Sequence, residues 1–333
     1  MIDVLVVDDS ALVRQMLTAI LAARGMHVRT ASDPVLATTK IRQQRPRVIV
    51  LDLEMPRMHG LDFLSRLAAT DPIPVVVCST LAGAGTQPAL QALELGAVEL
   101  VEKPKLGIRD FLEESATTIA DAVLAAASAR LFVRRPARSA PPPQLKWTTD
   151  KVIGIGASTG GTEAIRQILS AMPQNAPGIV VVQHMPAGFT NAFARRLNEE
   201  CTIEVREATH GERITPGKAL IAPGNRHVSV VRSGAQYVVS LSDGPLVSRH
   251  RPSVDVLFHS LADAAASNAV GALLTGMGAD GAEGLLAMRR AGARTFAQDE
   301  ATSVVYGMPK EAVSRGAVEQ IVPLDRIPHA ILS

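Results

Sequence analysis

Aromatic side chains, cysteines and net charge are all scarce in this chain of 333 residues, and each scarcity excludes a class of function. Phe, Trp and Tyr make up only 3% of the residues, which argues against binding single-stranded nucleic acid by stacking bases on aromatic rings. The formal net charge is +2, so there is no strong field to attract nucleic acid or an anionic membrane. We therefore expect no nucleic-acid partner.

Long apolar runs are also missing. No uncharged apolar run approaches the ~18 residues that a membrane-spanning helix requires. No cationic region precedes an apolar segment at the start of the chain, so we expect neither a membrane protein nor a signal peptide. The two cysteines, Cys78 and Cys201, lie far apart in or beside apolar runs, where buried free thiols are expected rather than a disulfide. These features predict a cytoplasmic protein, and its length suggests about two domains.

The first part of the chain alternates short apolar strands with amphipathic helices, the pattern of a parallel sheet covered on both faces. The expected strands are Asp3–Val7, Met26–Thr30, Arg47–Leu51, Pro74–Cys78 and Val98–Val101. A last helix is expected from Arg109 to Arg130. Five strand–helix units predict a flavodoxin-like doubly wound domain, whose function lies at the carboxyl ends of the strands.

Polar and charged side chains follow these predicted strands. Asp8 and Asp9 come after the first strand, Asp52 after the third, and Lys103 after the fifth. Close carboxylates repel one another unless a cation neutralises them, and hard oxygen ligands favour Mg²⁺. The set suits transfer of a phosphoryl group onto a carboxylate. Each residue alone could be a helix cap, a turn cap or a surface lysine, but their joint occurrence at strand ends favours a site.

The residues at these strand ends resemble the site of a response-regulator receiver domain; they are Asp8, Asp9, Asp52, Ser79 or Thr80, and Lys103-Pro104. The resemblance implies that Asp52 accepts a phosphoryl group from a histidine kinase and that Lys103 contacts this group. It also implies an Mg²⁺ site formed by Asp8, Asp9, Asp52 and the backbone carbonyl of Glu54. For the switch hydroxyl of such a domain, the spacing from the fourth strand favours Ser79 and leaves Thr80 as the alternative.

A segment rich in proline and arginine, residues 128–150, follows the last helix of this half. Prolines favour extended, semi-stiff chain and arginines keep it solvated, so we expect a linker, with a patch that binds an acidic partner as the alternative. The predicted organisation is a receiver domain over 1–127, the linker, and a second domain over 151–333, again a doubly wound α/β domain with a parallel sheet.

The second domain is organised around Val152–Gly161, which predicts a strand, a sharp turn and a helix. Within it, Gly156–Gly160 fits the G-x-S-x-G pattern of a nucleophile elbow, with Ser158 at its centre. Glycines permit strained backbone there, and a helix N-terminus offers N–H groups to an oxyanion. A turn without chemistry and a phosphate cradle are the alternatives. The cradle requires an acid at the tip of the next strand, where His184 stands instead.

His184 follows the apolar strand Ile179–Gln183, one strand after that of Ser158, where a general base could reach the serine. Asp280 lies in a second glycine-rich turn and is a candidate to orient the imidazole, with a helix cap as the alternative. The chain order serine, histidine, aspartate differs from that of α/β-hydrolases. The second domain is therefore expected to have another fold.

The other histidines of the second domain are weaker candidates. His250 stands among arginines, so that His250 and Arg251 are expected to contact an acidic substrate or partner. His210, His227 and His259 lie in polar loops or in a helix, and we expect them on the surface.

Several motifs of the second half resemble the catalytic domain of the chemotaxis protein-glutamate methylesterases; they are Gly154–Gly161, Gln183–Pro186, Ala222–Gly224, His250–Asp255, Thr275–Gly281, Ala297–Glu300 and Tyr306–Pro309. The resemblance implies that Ser158 attacks glutamate methyl esters of chemoreceptors, that His184 transfers the proton and that Asp280 fixes its tautomer. Candidate oxyanion donors are the backbone N–H groups of Thr159, Met277 and Gly278.

The resemblance also implies deamidation of certain receptor glutamines, no cofactor for hydrolysis, and higher activity when a histidine kinase phosphorylates Asp52. The alternative from another class is a phosphorylation-controlled module whose second domain binds a nucleotide or a partner without catalysis. Binding alone does not require His184 and Asp280, and these two residues favour the hydrolase.

Overall fold

A computed structural model describes residues 1–55, 59–79, 86–104, 109–131 and 151–333; for residues 86 and 109–115 the backbone alone is described. The chain divides into two compact units, Met1–Phe132 and Val133–Ser333. Thr80 and most of the predicted linker, residues 132–150, lie outside the described residues. No helix in the described ranges combines the length and apolarity needed to cross a bilayer.

The first unit alternates strands and helices, as its sequence predicts. The strands are β1 (Asp3–Val7), β2 (His27–Ala31), β3 (Val48–Leu51), β4 (Val75–Ser79) and β5 (Glu99–Glu102). The helices are α1 (Ala11–Ala22), α2 (Pro34–Gln43), α3 (Gly60–Thr70), α4 (Thr86–Glu94) and α5 (Arg109–Ser128). The observed strand bounds differ from the predicted ones by one residue or less at each end, because apolar runs bounded by polar residues are strong signals for buried strands.

The sheet of the first unit is parallel, in the order β2-β1-β3-β4-β5. This is the flavodoxin-like order, and it confirms the predicted fold class. The strands β1, β3 and β4 are almost wholly buried, since helices cover both faces. The topological switch point lies beside β1 and β3, so Asp8 and Asp52 are placed at the same edge of the sheet.

The second unit is also built on a parallel sheet. Its strands are β6 (Val152–Ala157), β7 (Gly178–Gln183), β8 (Glu204–Glu207), β9 (Lys218–Ile221), β10 (His227–Ser233), β11 (Gln236–Ser242), β12 (Ala269–Leu273), β13 (Arg294–Gln298) and β14 (Gln320–Val322). Its helices are α6 (Gly161–Ser170), α7 (Phe189–Glu200), α8 (Val254–Ala264), α9 (Ala282–Arg290), α10 (Met308–Ser314) and α11 (Ile327–Leu332).

Seven of these strands form one sheet in the order β14-β13-β12-β6-β7-β9-β8, with every pairing parallel. This confirms the predicted parallel α/β architecture. Strict alternation of strands and helices fails after β8, because β9 follows without a helix and β10 and β11 pair as an antiparallel hairpin. The alternating apolar residues of β10 and β11, such as Val228, Val230, Val239 and Leu241, are buried against α8 and its neighbours.

Both cysteines are free thiols, as predicted. Cys78 on β4 is buried, and burial raises the pKa of its thiol far above the usual range. Cys201 is only half-buried, at the end of α7, so the expectation that both thiols are buried is correct for Cys78 alone.

Candidate active site

Ser158 and His184 follow neighbouring parallel strands at equivalent positions. The register pairs Ala157 of β6 with Gln183 of β7. Ser158, the candidate nucleophile, follows Ala157, and His184, the candidate base, follows Gln183. The His184 N–H donates to the Ala157 carbonyl at 3.1 Å, which continues the ladder to the strand ends. On the other side of β6, the Ser158 N–H donates to Thr275 O at 3.0 Å, beyond the end of β12. Three strand ends therefore converge at Ser158.

The glycines around Ser158 serve two different purposes. Gly160 has φ of +76° and precedes α6, so it provides the left-handed turn that the elbow pattern predicts. Gly156 has no positive φ; a methyl group there would overlap the Val254 side chain at the start of α8. The prediction that the flanking glycines permit strained backbone is therefore correct for Gly160, whereas Gly156 allows a helix to pack closely on the strand.

His184 is hydrogen-bonded to Asp280 across 96 residues of sequence, with 2.8 Å between Nε2 and Oδ2. Their side chains are only 7% and 1% exposed. Asp280 lies between β12 and α9, directly before Gly281, which has φ of +89° and precedes α9. The structure thus brings together the two residues that the sequence proposes as base and orienting carboxylate.

The Asp280 carboxylate also caps a helix, although not its own. It accepts hydrogen bonds from the Ser253 hydroxyl at 2.7 Å and from the Val254 and Asp255 N–H groups at 2.7 and 3.1 Å, at the N-terminus of α8. Burial alone would raise the pKa of Asp280, but the hydrogen bonds from His184, Ser253 and the backbone outweigh it and hold the pKa well below its usual range. Asp280 is therefore ionised. It does not cap the helix that follows it, because Gly281 is the residue before α9, so the helix-cap alternative is wrong as predicted. The same carboxylate instead caps α8 and accepts from His184.

The ionised carboxylate determines the tautomer of His184. A carboxylate can only accept, so the proton of the neutral imidazole lies on Nε2 and faces Asp280. The lone pair is then on Nδ1, which is buried and has no hydrogen-bond partner among the described residues. A buried acceptor without a hydrogen-bond partner lowers the stability of a folded protein. Such an acceptor can take a proton from a substrate or a nucleophile. His184 Nδ1 thus carries a lone pair that no described residue occupies.

Of the candidate oxyanion donors, Thr159 directly follows Ser158, and Met277 and Gly278 directly follow Gly276, which packs on Ser158. No hydrogen bond joins the backbone N–H groups of Thr159, Met277 or Gly278 to another described residue. Gly276, immediately before Met277, packs so closely on Ser158 that a methyl group there would come within 2.7 Å of Ser158 Cβ. Free N–H groups next to a buried serine suit the stabilisation of a developing oxyanion.

His250 and Arg251, the predicted substrate contacts, have distinct surroundings. The His250 ring stacks on that of His184, with 3.7 Å between the centroids and 11° between the planes. Burial lowers the pKa of His250 to about 3, and the nearby His184 acts in the same direction. The Arg251 guanidinium donates to Asn225 Oδ1 and to the carbonyls of Asp243 and Gly244. These hydrogen bonds hold the loop and use four of the five N–H groups of the guanidinium.

Sequence reasoning missed three polar residues that support this site: Gln183, His227 and Ser253. Gln183 is 1% exposed, and its Nε2 donates to the carbonyls of Ser158 and His184 at 2.9 and 3.0 Å, so one amide joins nucleophile and base. His227 was expected on the surface but is 3% exposed and accepts from the Ser253 N–H. A serine before an apolar helical run is a capping signal that could have found Ser253.

In the first unit, Asp8, Asp9 and Asp52 also come together. One carboxylate oxygen from each lies within 4.8 Å of the others. Lys103 Nζ is 3.0 Å from Asp8 Oδ2 and 2.7 Å from Asp52 Oδ2. Asp8 and Asp52 are each 1% exposed, whereas Asp9 is exposed. The four side chains at the ends of β1, β3 and β5 therefore form one acidic cluster with a single ammonium group at its edge.

The charges of this cluster fit a hard divalent cation. Burial raises the pKa of Asp8 despite its ion pair with Lys103. Burial would lower the pKa of Lys103, but hydrogen bonds to Asp52 and Asp8 raise it above its usual value, so the ammonium stays charged. One ammonium does not neutralise three carboxylates, and oxygen donors at this spacing are the ligand type that Mg²⁺ prefers.

The remaining predicted residues of the first unit are placed as follows. Ser79 ends β4, is 1% exposed, and its hydroxyl has no hydrogen-bond partner within the described ranges. The Glu54 N–H donates to Asp52 Oδ1 at 3.2 Å, so Asp52 also caps the turn that follows β3. Ser10 caps α1 by accepting from the Val13 N–H. These contacts leave Asp52 Oδ2 facing the Lys103 ammonium, while Oδ1 accepts from the backbone.

Comparison with known families identifies both units. Residues 153–331 match the CheB methylesterase family, and residues 4–113 match the response regulator receiver domain family. A crystal structure of the Thermotoga maritima CheB methylesterase catalytic domain superposes with a TM-score of 0.54 at 36% identity, covering 55% of this chain and 97% of that one.

Two curated relatives align over nearly the full length. A protein-glutamate methylesterase/protein-glutamine glutaminase of Anaeromyxobacter dehalogenans is 56% identical, with 99% of this chain and 98% of the relative covered. One of Bordetella bronchiseptica is 54% identical, with 100% and 97% covered. The acidic cluster of the first unit and the His184–Asp280 pair of the second lie within the residues that these families match. The chain therefore belongs to the family of protein-glutamate methylesterases/protein-glutamine glutaminases that carry a response-regulator receiver domain.

Proposed function

We propose that this chain hydrolyses glutamate methyl esters on chemoreceptors and deamidates certain receptor glutamines, under control of phosphorylation at Asp52. The observation that carries the proposal is the buried His184, which follows the strand next to that of Ser158: its Nε2 is held by Asp280, and its Nδ1 has no hydrogen-bond partner among the described residues. This arrangement leaves a lone pair for a proton transfer, which a binding module does not need. Membership of a methylesterase family supports the same conclusion.

The reaction uses this chain's own side chains. Ser158 Oγ attacks the ester carbonyl carbon while His184 Nδ1 takes the hydroxyl proton, and the N–H groups of Thr159, Met277 and Gly278 stabilise the oxyanion. The tetrahedral intermediate collapses, and methoxide leaves as methanol with the proton from His184. Water then attacks the Ser158 acyl ester, His184 accepts its proton, and glutamate departs as Ser158 regains its own. With a glutamine substrate, ammonia replaces methanol. Asp280 stabilises the imidazolium formed in each step.

Control resides in the first unit. Asp52 Oδ2 would attack the phosphoryl group of a phosphohistidine on a kinase, and Lys103 would hold the transferred oxygens. Asp8, Asp9, Asp52 and the Glu54 carbonyl would hold Mg²⁺, which neutralises charge on the phosphoryl group when bound. Ser79, with its unpartnered hydroxyl, is the switch candidate of the described residues. We assign residues 1–127 to the receiver, 128–150 to a linker and 151–333 to the hydrolase, and place the protein in the cytoplasm with its kinase.

The esterase assignment is tested by incubating the full chain with methylated chemoreceptor in membranes and measuring methanol, with ammonia measured from an unmodified receptor. Release of methanol at a rate proportional to enzyme concentration is expected. Stable binding of the receptor without methanol or ammonia would instead support the non-catalytic module.

The phosphorylation site is tested by replacing Asp52 with asparagine. A small acyl phosphate with Mg²⁺ is expected to raise methanol release by the wild-type chain, whereas the ratio of stimulated to unstimulated rate in Asp52→Asn falls to about 1, because an amide does not form an acyl phosphate. Chelating Mg²⁺ is expected to abolish stimulation of the wild type. Asp62→Asn, at an exposed position of α3, is the matched control and retains full stimulation. Full stimulation of Asp52→Asn would refute this assignment.

A further inference from the structure

The proposed reaction gives no role to His250, yet the ring of this residue stacks on that of His184. The two rings are nearly parallel: their centroids are 3.7 Å apart, and the angle between their planes is 11°. It forms no hydrogen bond through its ring among the described residues and is half-buried. A face-to-face contact of this kind restrains the plane of the neighbouring ring.

The backbone that presents His250 is strained. Val247 and His250 exchange two backbone hydrogen bonds, of 3.1 and 2.8 Å, which close a two-residue turn. The central residues Ser248 and Arg249 have φ of +52° and +66°, the signs of a type I′ turn, which glycine and asparagine normally occupy. Both residues are exposed, so burial of their side chains does not explain the conformation. Strain of this type concentrates where a structure must hold a functional group in place.

Arg251 anchors the other side of the same turn. Its guanidinium donates twice to Asn225 Oδ1, at 3.0 and 2.7 Å, and to the Asp243 and Gly244 carbonyls. Its carbonyl accepts from the Asn225 N–H at 3.0 Å. His250 is therefore fixed on one side by a closed turn and on the other by a side chain that ties the loop to the start of β10 and the end of β11.

We propose that His250 is a positioning residue, which holds the plane of the His184 imidazole so that Nε2 stays on Asp280 while Nδ1 stays available to Ser158. The single hydrogen bond to Asp280 fixes one point of the His184 ring but permits rotation about that bond. A stacked ring removes this freedom, and alignment of a base with its proton governs the rate of the step. Because burial keeps His250 neutral, it does not repel the imidazolium that forms on His184.

The test compares two substitutions of similar size in the full-length chain. His250→Phe keeps a flat ring that can stack but has no nitrogen, whereas His250→Gln keeps a polar group but cannot stack. Methanol release from methylated receptor is measured over a range of substrate concentrations. We expect kcat of His250→Gln to fall about 10-fold with KM within about twofold, and kcat of His250→Phe to stay within about threefold of wild type.

Other outcomes would overturn the inference. Equal losses of kcat in both variants would show that the imidazole nitrogens matter rather than the stacked face. A rise in KM with unchanged kcat would make His250 a substrate contact, and wild-type rates in both variants would leave it without a role in the reaction. Circular dichroism of each variant checks that the fold is kept, and the comparison of Phe with Gln remains informative if one is destabilised.

The inference depends on the proposed esterase function, and the same assay separates the two. If the wild-type chain releases no methanol, the proposed function fails before His250 is tested. If the wild type is active and Ser158→Ala is not, while both His250 variants match the wild type, the function stands and only the positioning role is refuted.

Discussion

Replacing Ser158 with alanine is expected to lower kcat/KM for methanol release from methylated receptors by at least ~10⁴-fold. Without the Ser158 hydroxyl no acyl intermediate forms. Neither His184 nor the backbone N–H groups of the candidate oxyanion site can replace this nucleophile. The serine is 8% exposed at a turn between β6 and α6, and alanine differs from it by one oxygen, so the fold should persist. The rate is measured as methanol released by the full chain, with ammonia release from receptor glutamine as the second readout.

Ser170→Ala is the matched control for this substitution. Ser170 is an exposed serine at the last position of α6, and among the residues that the structure describes its hydroxyl donates to the Gln167 carbonyl alone, one turn earlier. The same chemical change at the far end of the same helix is expected to leave the rate within about twofold of wild type. Appreciable methanol release by Ser158→Ala would mean that another group attacks the ester.

Replacing Asp280 with asparagine is expected to lower kcat by about 10³-fold, with a smaller change in KM. Both carboxylate oxygens only accept hydrogen bonds here: Oδ2 from His184 and Val254, and Oδ1 from Ser253 and Asp255. An asparagine side chain has only one acceptor oxygen, so its NH₂ group must face one of these two pairs of donors. If it faces His184, the imidazole proton moves to Nδ1 and the base is lost, since Nδ1 then has no lone pair for the serine proton.

The same substitution is expected to destabilise the second unit by about 1–3 kcal/mol, because buried donors at the start of α8 lose an acceptor. Circular dichroism in increasing urea measures this loss separately from the rate. Asp263→Asn, at an exposed position near the other end of α8, is the control for the chemical change and is expected to alter neither quantity. An Asp280→Asn variant with wild-type kcat would show that His184 needs no orienting carboxylate.

The fold could be predicted from the sequence because its strongest signals are local. Apolar runs such as Val48–Leu51 and Gly178–Gln183 are buried on both faces of parallel sheets, so their composition identifies them directly. Parallel strands also place their carboxyl ends at one edge, and this rule alone joins Asp8 to Asp52. The hairpin of β10 and β11 was not predicted. A sequence in which strands and helices mostly alternate gives no signal at the point where the alternation stops.

The support around the catalytic residues could not be predicted, since it depends on contacts between distant segments. His227 stands in a polar stretch that resembles surface, but β10 packs on α8 and turns its ring towards the Ser253 N–H. The stacking of His250 on His184 joins residues 66 positions apart through a turn whose positive φ values fall on serine and arginine. No local pattern marks such a turn, because glycine and asparagine, its usual signals, are absent.

Whether Ser158 and His184 act as one unit is tested most directly by comparing Ser158→Ala, His184→Ala and the double substitution in the same methanol assay. If the imidazole works only by moving the serine proton, the double variant is expected to lie within about threefold of the slower single variant. Losses that multiply in the double variant would show two groups acting independently, which contradicts the proposed mechanism.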